Sequence, residues 1–251
     1  MDDDLDRIAG WLRDAGQIVV LTGAGISTES GIPDFRGPDG VWTKDPSAER
    51  RATIQHYVAD ADHRRNVWKL RAAGERYSGA PNAGHVALAE LERRAALHTL
   101  VTQNVDGLHL DAGSSPERLV EIHGNVRDVK CLSCEWRGPM EETLDRVRAG
   151  DDDPRCLHCG GILKSATISF GEGLVPADLT RAQAAAAGAD VFVAAGTSLG
   201  VYPAAALPEL ALRNGAVLVI LNAEPTPFDG AADAVVRERL GVALPAIVDQ
   251  I

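Results

Sequence analysis

The four cysteines of this 251-residue chain form two closely spaced pairs. Cys131 and Cys134 make one C-x-x-C pair, Cys156 and Cys159 make the other, and residues 135–155 separate them. This spacing is typical of a tetrahedral metal site, because each tight loop supplies two thiolates. Four thiolates leave no position on the metal for water, so we predict one structural zinc ion. A rubredoxin-like iron site has the same ligand set, and four free or redox-active thiols are the other alternative.

A glycine-rich segment follows the first apolar run of the chain. Gly23, Ala24 and Gly25 come directly after residues 18–21, and glycines in this position let backbone amides approach a diphosphate. Thr28 stands where the third glycine of the common G-x-G-x-x-G pattern is expected. The acidic residue that holds an adenosine ribose about 20 residues further on would fall in a loop with no strand before it. The segment therefore predicts a nucleotide site, but not the usual hydride-transfer site.

Polar residues also follow several other apolar runs. In open α/β sheets, ligands collect beyond the carboxyl ends of the strands. Asn222 and Glu224 follow the last good run and are candidates for holding a ribose. Further candidates are Gln103, Asn104 and Asp106 after 98–102, and Gly196, Thr197 and Ser198 after 191–194.

One histidine is a candidate proton acceptor. His123 follows the apolar run 119–122, and Gly124 leaves space behind it. An imidazole has a suitable pKa for a general base near neutral pH. The pattern alone also allows a structural role for His123, since single histidines often pack in cores. His85 and His109 are more typical of capping or packing residues.

Short apolar runs alternate with helical patterns along the chain. This alternation predicts an α/β fold with a Rossmann-like, doubly wound parallel sheet covered by helices. Residues 38–82 and 126–166 interrupt it, so we expect a small domain made of a helical insertion and a zinc-binding module. The main domain then comprises 1–37, 83–125 and 167–251. The predicted strands are 18–21, 98–102, 119–122, 191–194 and 216–221, and the predicted helices are the N-terminal segment ending near Gly16, 84–94 and 176–187.

Charge and hydropathy limit the possible functions. The net charge of −11 opposes binding to a phosphate backbone, so we expect no direct nucleic-acid binding. The sequence contains neither an apolar stretch of about 18 residues nor a basic N-terminus followed by an apolar segment. We therefore expect no membrane span, no secretory signal and a cytoplasmic location.

Several motifs occur in the order found in sirtuins. They are GAGISTESGIPDFRGP, TQNVDGLH, EIHGN, the two C-x-x-C pairs, ISFGE, GTSLGVYPAA and LNAEPTP. Over nearly its whole length the chain resembles this family of NAD-dependent protein lysine deacylases, in its bacterial type. The resemblance implies a deacetylase that cleaves nicotinamide from NAD and moves the acetyl group of acetyl-lysine to the ADP-ribose. The products are O-acetyl-ADP-ribose, nicotinamide and free lysine. An NAD-dependent mono-ADP-ribosyltransferase and a non-enzymatic NAD-sensing protein are the alternatives.

The resemblance also assigns roles to residues. It implies that His123 is the base, that Asn104 and Asp106 flank the nicotinamide carboxamide, and that Gln103 contacts a ribose hydroxyl. We take His123 and Asn104 as the catalytic residues. Phe35 is expected to cover the ribose face. The implied NAD contacts are Gly23, Ala24, Gly25, Ile32, Asp34, Phe35, Arg36, Gln103, Asn104, Asp106, His123, Gly196, Thr197, Ser198, Asn222, Glu224 and Leu240.

An acetylated lysine of a protein substrate is expected to bind as an added strand between two extended segments. Ile168 and Phe170 would line the acyl tunnel, and the Ile168 carbonyl would accept the substrate amide N–H. Many relatives have a proline where Ser165 follows Lys164 here, which leaves the entry angle of this strand open. A sheet strand with one apolar face is the alternative interpretation. The expected substrate contacts are Ile168, Phe170, Gly171, Glu172, Leu199, Gly200 and Val201.

The sequence also predicts the preferred acyl group. Sirtuins that remove succinyl or malonyl groups carry a Tyr-x-x-Arg pair in the helical insertion. No tyrosine here is followed by arginine at that spacing, Tyr77 included, and the closest approximation is Trp68 with Arg71. We therefore predict that acetyl-lysine is a better substrate than succinyl-lysine.

Overall fold

The computed structural model describes residues 2–74 and 79–251. Tyr77 and its neighbours therefore lie outside the described residues. The strands are β1 (Ile18–Thr22), β2 (Leu97–Thr102), β3 (Leu119–Glu121), β4 (Gly124–Cys131), β5 (Arg137–Pro139), β6 (Leu163–Thr167), β7 (Val191–Ala195), β8 (Val217–Leu221) and β9 (Ala234–Val236). The α-helices are α1 (Asp2–Asp14), α2 (Val41–Lys44), α3 (Ser47–Arg51), α4 (Ile54–Ala59), α5 (Ala61–Ala72), α6 (Ala83–Arg94), α7 (Leu108–Asp111), α8 (Met140–Arg148), α9 (Pro176–Ala187), α10 (Leu207–Arg213) and α11 (Leu240–Val248).

Six parallel strands form the main sheet in the order β3-β2-β1-β7-β8-β9. The strand β1 lies in its centre and is buried along its whole length. Its side chains alternate between the two faces of the sheet: Ile18 and Val20 join one apolar cluster, while Val19 and Leu21 join the other. Helices α1, α6 and α11 cover the first face, and α9 and α10 cover the second. The predicted Rossmann-like, doubly wound sheet is thus confirmed.

The strand order reverses between β1 and β7. From β1 the chain builds the sheet outward through β2 and β3, and from β7 it builds outward on the other side through β8 and β9. Loops that leave such a reversal point diverge and leave a crevice at the carboxyl ends of the strands. The glycine loop after β1 and the Gly196 loop after β7 border this crevice.

A second, antiparallel sheet has the order β5-β4-β6. It shares a small core with α8 and with Trp68 of α5, which is only 1% exposed. Because α5 supplies this central side chain, the helical insertion and the cysteine-bearing module bury apolar surface together. The sequence predicts that the main domain ends at residue 125 and the zinc-binding module begins at residue 126. This boundary falls within strand β4.

Most predicted elements lie within one or two residues of the observed ones, and α9 has the predicted bounds. The sequence interpretation missed β9 and the three strands of the small sheet. In the part of the chain that the structure describes, no helix combines the length and the apolar character that crossing a membrane requires.

Candidate active site

The four cysteine side chains converge. Their Sγ atoms all lie within 4.8 Å of one another, with 3.5 Å between Cys131 and Cys159 and 3.8 Å between Cys134 and Cys156. A tetrahedral zinc ion with Zn–S bonds of about 2.3 Å sets its ligand sulfurs about 3.8 Å apart. The backbone N–H of Ser133 donates to Sγ of Cys131, which favours the thiolate. The residues therefore fit a structural zinc with four thiolate ligands, as predicted.

The glycine loop packs directly on the loop that follows β7. The Gly23 N–H donates to the Ala195 carbonyl at 3.1 Å, and the Gly25 N–H donates to the Gly196 carbonyl at 2.8 Å. A Cβ atom at either glycine would come within 2.8 Å of Gly196 atoms, so only glycine fits at both positions. The sequence interpretation expected both glycines to let backbone amides approach a diphosphate, and that contact stays a prediction. The N–H groups of Gly23 and Gly25 themselves are bonded to the loop after β7.

Asn104 lies buried at the end of β2, where it contacts the glycine loop. Its Nδ2 donates to the Gly23 carbonyl at 3.1 Å and to Ser27 Oγ at 3.0 Å. The Ser27 hydroxyl in turn donates to Asp106 at 2.8 Å, and the other oxygen of Asp106 accepts the Leu108 N–H. The structure therefore brings Asn104 and Asp106 together through Ser27. The sequence interpretation missed Ser27, although it is a buried hydroxyl within the glycine-rich motif.

Gln103 links β2 to the loop after β7. Its side-chain amide donates to Thr197 Oγ1 at 2.9 Å, and the same hydroxyl accepts the Leu199 N–H at 3.3 Å. Leu199 is buried and holds a positive φ of 53°. These bonds place the predicted nucleotide contacts Gln103 and Thr197 side by side.

His123 lies between the nucleotide loops and the predicted acyl segment. Its Nδ1 atom is 3.0 Å from the Gln103 carbonyl oxygen, and its own carbonyl accepts the Ile168 N–H at 2.7 Å. A carbonyl can only accept, so Nδ1 carries the proton and Nε2 of the neutral ring remains an acceptor. Burial lowers the pKa of His123 below its ordinary value of 6.5, although the bond to Gln103 opposes the shift. Gly124 has a φ of 71°, and a Cβ there would overlap the Ala166 carbonyl.

Residues 31–37 follow the glycine loop and contain Phe35, which is expected to cover the ribose, so we call this segment the lid. The Gly37 N–H donates to the Asp34 carboxylate at 3.0 Å, so Asp34 orders this turn. Phe35 is 41% exposed, while Ile32 is half-buried and donates its N–H to the Ser27 carbonyl. The Arg36 guanidinium lies 4.4 Å from the centre of the Trp42 ring.

The contacts predicted at the far end of the sheet lie after β8 and at the start of α11. Asn222 Nδ2 donates to the Glu224 carbonyl at 2.7 Å, and Arg237 donates to the carbonyls of both residues. The Glu224 side chain is exposed, as is Ser198. Leu240 is buried and lies close to Gly196.

The predicted acyl segment is held by the small domain. Phe170 donates its N–H to the Ala52 carbonyl and accepts the Ile54 N–H at 2.9 Å. Gly171 follows with a φ of 85°. The Glu172 carboxylate, predicted as a substrate contact, accepts from Lys130 at 2.8 Å and from the Ser169 N–H at 2.7 Å. The Glu172 side chain therefore stabilises the predicted acyl segment through contacts with other protein groups.

On the opposite side of the crevice, Gly200 is exposed and Val201 is half-buried. Ser165, which stands at the position of the usual proline, is an ordinary residue of β6 and pairs with Val129. The strand thus continues through this position without a break.

His85 and His109 have structural roles, as the sequence indicates. Both are buried, and their ring centres are 4.9 Å apart. His85 completes the N-terminal cap of α6 with Asn82. His109 contacts Thr22 Oγ1, and burial lowers its pKa to about 3.

Comparison with known proteins gives concordant results. A model of the Sir2 family matches residues 23–203, a range that contains the glycine loop, His123 and all four cysteines. The NAD-dependent protein deacetylase 2 of Streptomyces coelicolor is 51% identical over 231 residues, covering 92% of this chain and 96% of that protein. A solved chain from work on the mechanism and regulation of Sir2 enzymes has a TM-score of 0.88 at 39% identity, with 100% and 98% of the two chains covered. A Sir2 variant with a deacetylated p53 peptide and 3′-O-acetyl ADP ribose also has a TM-score of 0.88, at 32% identity and with 98% of both chains covered.

Proposed function

This chain belongs to the Sir2 family, and from that premise we infer that it is an NAD-dependent protein deacetylase. It cleaves nicotinamide from NAD and transfers the acetyl group of acetyl-lysine to the ADP-ribose. The products are O-acetyl-ADP-ribose, nicotinamide and free lysine. NAD is therefore a consumed co-substrate, and lysine side chains of proteins are the substrates.

The position of His123 is the observation that carries this function. Its side chain bonds to Gln103 on the nucleotide side, and its backbone bonds to Ile168 on the acyl side. His123 therefore borders both the proposed NAD site and the proposed acyl-lysine site, and the two substrates must meet beside it. We propose that Nε2 of His123 accepts a proton from a ribose hydroxyl as that hydroxyl attacks, which requires a neutral ring.

The crevice between β1 and β7 is the proposed NAD site. It has the amide and carboxylate groups of Asn104 and Asp106 on one side and Thr197 on the other. Phe35 in the lid is the proposed cover that keeps water from the ribose. The other proposed NAD contacts are Gly23, Ala24, Gly25, Ile32, Asp34, Arg36, Gln103, Gly196, Ser198, Asn222, Glu224 and Leu240.

The proposed peptide site lies between the segments that follow β6 and β7. The carbonyl of Ile168 is the proposed acceptor for the substrate amide, since the Ile168 N–H is already bonded to His123. A peptide that binds as an added strand is held mainly through its backbone groups. Its side chains then contribute little to recognition, so several proteins can serve as substrates. The remaining proposed contacts are Phe170, Gly171, Glu172, Leu199, Gly200 and Val201.

Zinc, when bound by the four thiolates, holds the small domain together and leaves no site for a reacting water. We keep the two-domain division, with its predicted bounds, as a proposal, supported by the separation of the two sheets. We also propose a cytoplasmic location and no direct nucleic-acid binding. Four free thiols grouped as a metal site are typical of a reducing compartment, and the charge of −11 repels phosphate backbones.

The function is tested by incubating the protein with NAD and either an acetyl-lysine peptide or the same peptide unacetylated. We expect nicotinamide and O-acetyl-ADP-ribose in equal amounts, and only with the acetylated peptide. Labelled protein without O-acetyl-ADP-ribose would identify a mono-ADP-ribosyltransferase. NAD binding without any nicotinamide release would identify an NAD-sensing protein.

A further inference from the structure

Trp42 lies between the lid and the acyl segment. Its ring centre is 4.8 Å from that of Phe35 and 5.4 Å from that of Phe170. Among the ring contacts of the described residues, Trp42 is the one side chain that meets both phenylalanines. We propose that Trp42 is a positioning residue that couples the presence of acyl-lysine beside Phe170 to closure of Phe35 over the ribose. This inference rests on the deacetylase function proposed above.

Backbone bonds fix Trp42 to the lid. The Val41 N–H donates to the Asp34 carbonyl, and the Trp42 N–H donates to the Phe35 carbonyl, both at 2.9 Å. A Cβ at the buried Gly40 would lie 2.6 Å from the Phe35 carbonyl oxygen, so this close approach requires glycine. The start of α2 and the lid are therefore one unit, and a displacement of Trp42 moves Phe35 with it.

The same stretch of chain reaches the acyl segment at its other end. Thr53 forms a parallel bridge with Phe170, made by the bonds from Phe170 to Ala52 and from Ile54 to Phe170. Asp45 ties α2 to α3 through its ion pair with Arg51 at 2.6 Å. Residues 34–54 thus form a continuous connection from the lid to the acyl tunnel.

Charge also holds the Trp42 ring to the lid. The Arg36 guanidinium lies 4.4 Å from the Trp42 ring centre, and Arg36 is 3.6 Å from Glu49 of α3. Phe35 and Phe170 are 41% and 36% exposed, so each has room to respond to a bound molecule. A side chain that touches both transmits such a response by direct packing.

Loss of this coupling has a defined chemical consequence. When water reaches the ribose, the bond between its carbon and the nicotinamide nitrogen breaks, and that carbon forms a bond to the water oxygen. The water loses one proton, and the products are ADP-ribose and nicotinamide without acyl transfer. A closed lid suppresses this hydrolysis. The ratio of nicotinamide to O-acetyl-ADP-ribose therefore measures whether the lid is closed when the acyl group is present.

The test compares Trp42→Ala and Trp42→Leu with Trp42→Phe, which keeps an aromatic ring. Nicotinamide, ADP-ribose and O-acetyl-ADP-ribose are measured together with saturating acetyl-lysine peptide. We expect a product ratio near one for the parent and for Trp42→Phe. For the Ala and Leu variants we expect deacetylation to fall by about 10- to 100-fold, with ADP-ribose making up the excess nicotinamide.

The outcomes separate this inference from the function on which it rests. A parent protein that releases no nicotinamide with the acetylated peptide would contradict the deacetylase function itself. An active parent together with Ala and Leu variants that keep a ratio near one would overturn the coupling role of Trp42, whatever their rates. The Leu variant keeps an apolar side chain, so the test stands if the Ala variant does not fold.

Discussion

Nζ of Lys164 lies 2.9 Å from a carboxylate oxygen of Glu172, and both side chains are largely removed from solvent. Burial lowers the pKa of Lys164 to about 8, although the charge of Glu172 opposes this. Burial alone would raise the pKa of Glu172, but the charge of Lys164 and the bond from Lys130 hold it below its ordinary value. The pair therefore exists in its ionised form at neutral pH.

Glu172→Gln should destabilise the protein by about 3–5 kcal/mol at pH 7, because it leaves Lys164 buried without a counter-ion. The loss should shrink at pH 9, where Lys164 is largely uncharged and needs no partner. Urea unfolding at both pH values measures this, with Glu142→Gln on the exposed side of α8 as the matched control. An equal loss at both pH values would show that the ion pair is not the cause.

His123→Ala should lower turnover by about 10²–10⁴-fold while NAD affinity changes little. The variant loses the proton acceptor but keeps the glycine loop and its bonds to Gly196. Turnover and calorimetric NAD binding give the two quantities, and His98→Ala, an exposed histidine of β2, is the control. Deacetylation close to the parent rate would refute the assignment of His123 as the base.

The acid limb of kcat/KM should lie below pH 6.5, because burial lowers the pKa of His123 in the folded protein. The neutral ring is the active form, so activity persists as the pH falls from 7 and is lost when the pH passes the lowered pKa. A pH–rate profile under saturating NAD measures the limb. An acid limb above pH 7 would mean either that a different group controls the rate or that His123 is already charged at neutral pH.

Cys131→Ala should lose bound zinc and unfold at a lower temperature, because folding of the small domain depends on the metal. Metal analysis and thermal unfolding test this together. Leu157→Ala is the control, since Leu157 lies between two ligands in the sequence but is 82% exposed. A Cys131→Ala protein that stays folded and active after chelation would contradict the structural role.

Acetyl-lysine should be a better substrate than succinyl-lysine. Trp68 is buried in the core of the small domain, so its ring does not face an acyl group, and Arg71 donates to Ser165 at 3.1 Å. A buried carboxylate needs a placed cation, and Arg71 is already engaged with β6. The kcat/KM values for matched peptides decide this. A succinyl preference that disappears in Arg71→Met would show that Arg71 serves the acidic acyl group.

Local patterns predict the parts of this fold that depend on neighbouring residues. Strand β1 is a short apolar run that ends at the glycine segment, and helix α9 begins at a proline and ends before Gly188, so their positions follow from the sequence. Strand β9 has only three residues, which is too short for a periodic pattern. The zinc ligands were also predictable, because paired spacing brings two thiolates together within each loop.

Features that depend on contacts between residues far apart in the chain were not predictable from local sequence patterns. Ser27 matters because Asn104 and Asp106 approach it, and no local pattern connects residues so far apart in the chain. The close packing of Gly25 on Gly196 is likewise a contact between segments far apart in the chain, which the local glycine pattern does not indicate. Trp42 lies in the segment 38–82, which the sequence indicates only as a helical insertion.

The pairing of Gly124 with Thr167 has a consequence for how this protein could have been assembled. These residues are partners in the register of β4 and β6, and partners across antiparallel strands lie about 5 Å apart. The chain therefore leaves the main domain after His123 and returns to it at Ile168, and these two residues are joined by a backbone hydrogen bond. A segment with adjacent ends can be gained, lost or exchanged by recombination at two junctions, while the residues outside those junctions keep their neighbours.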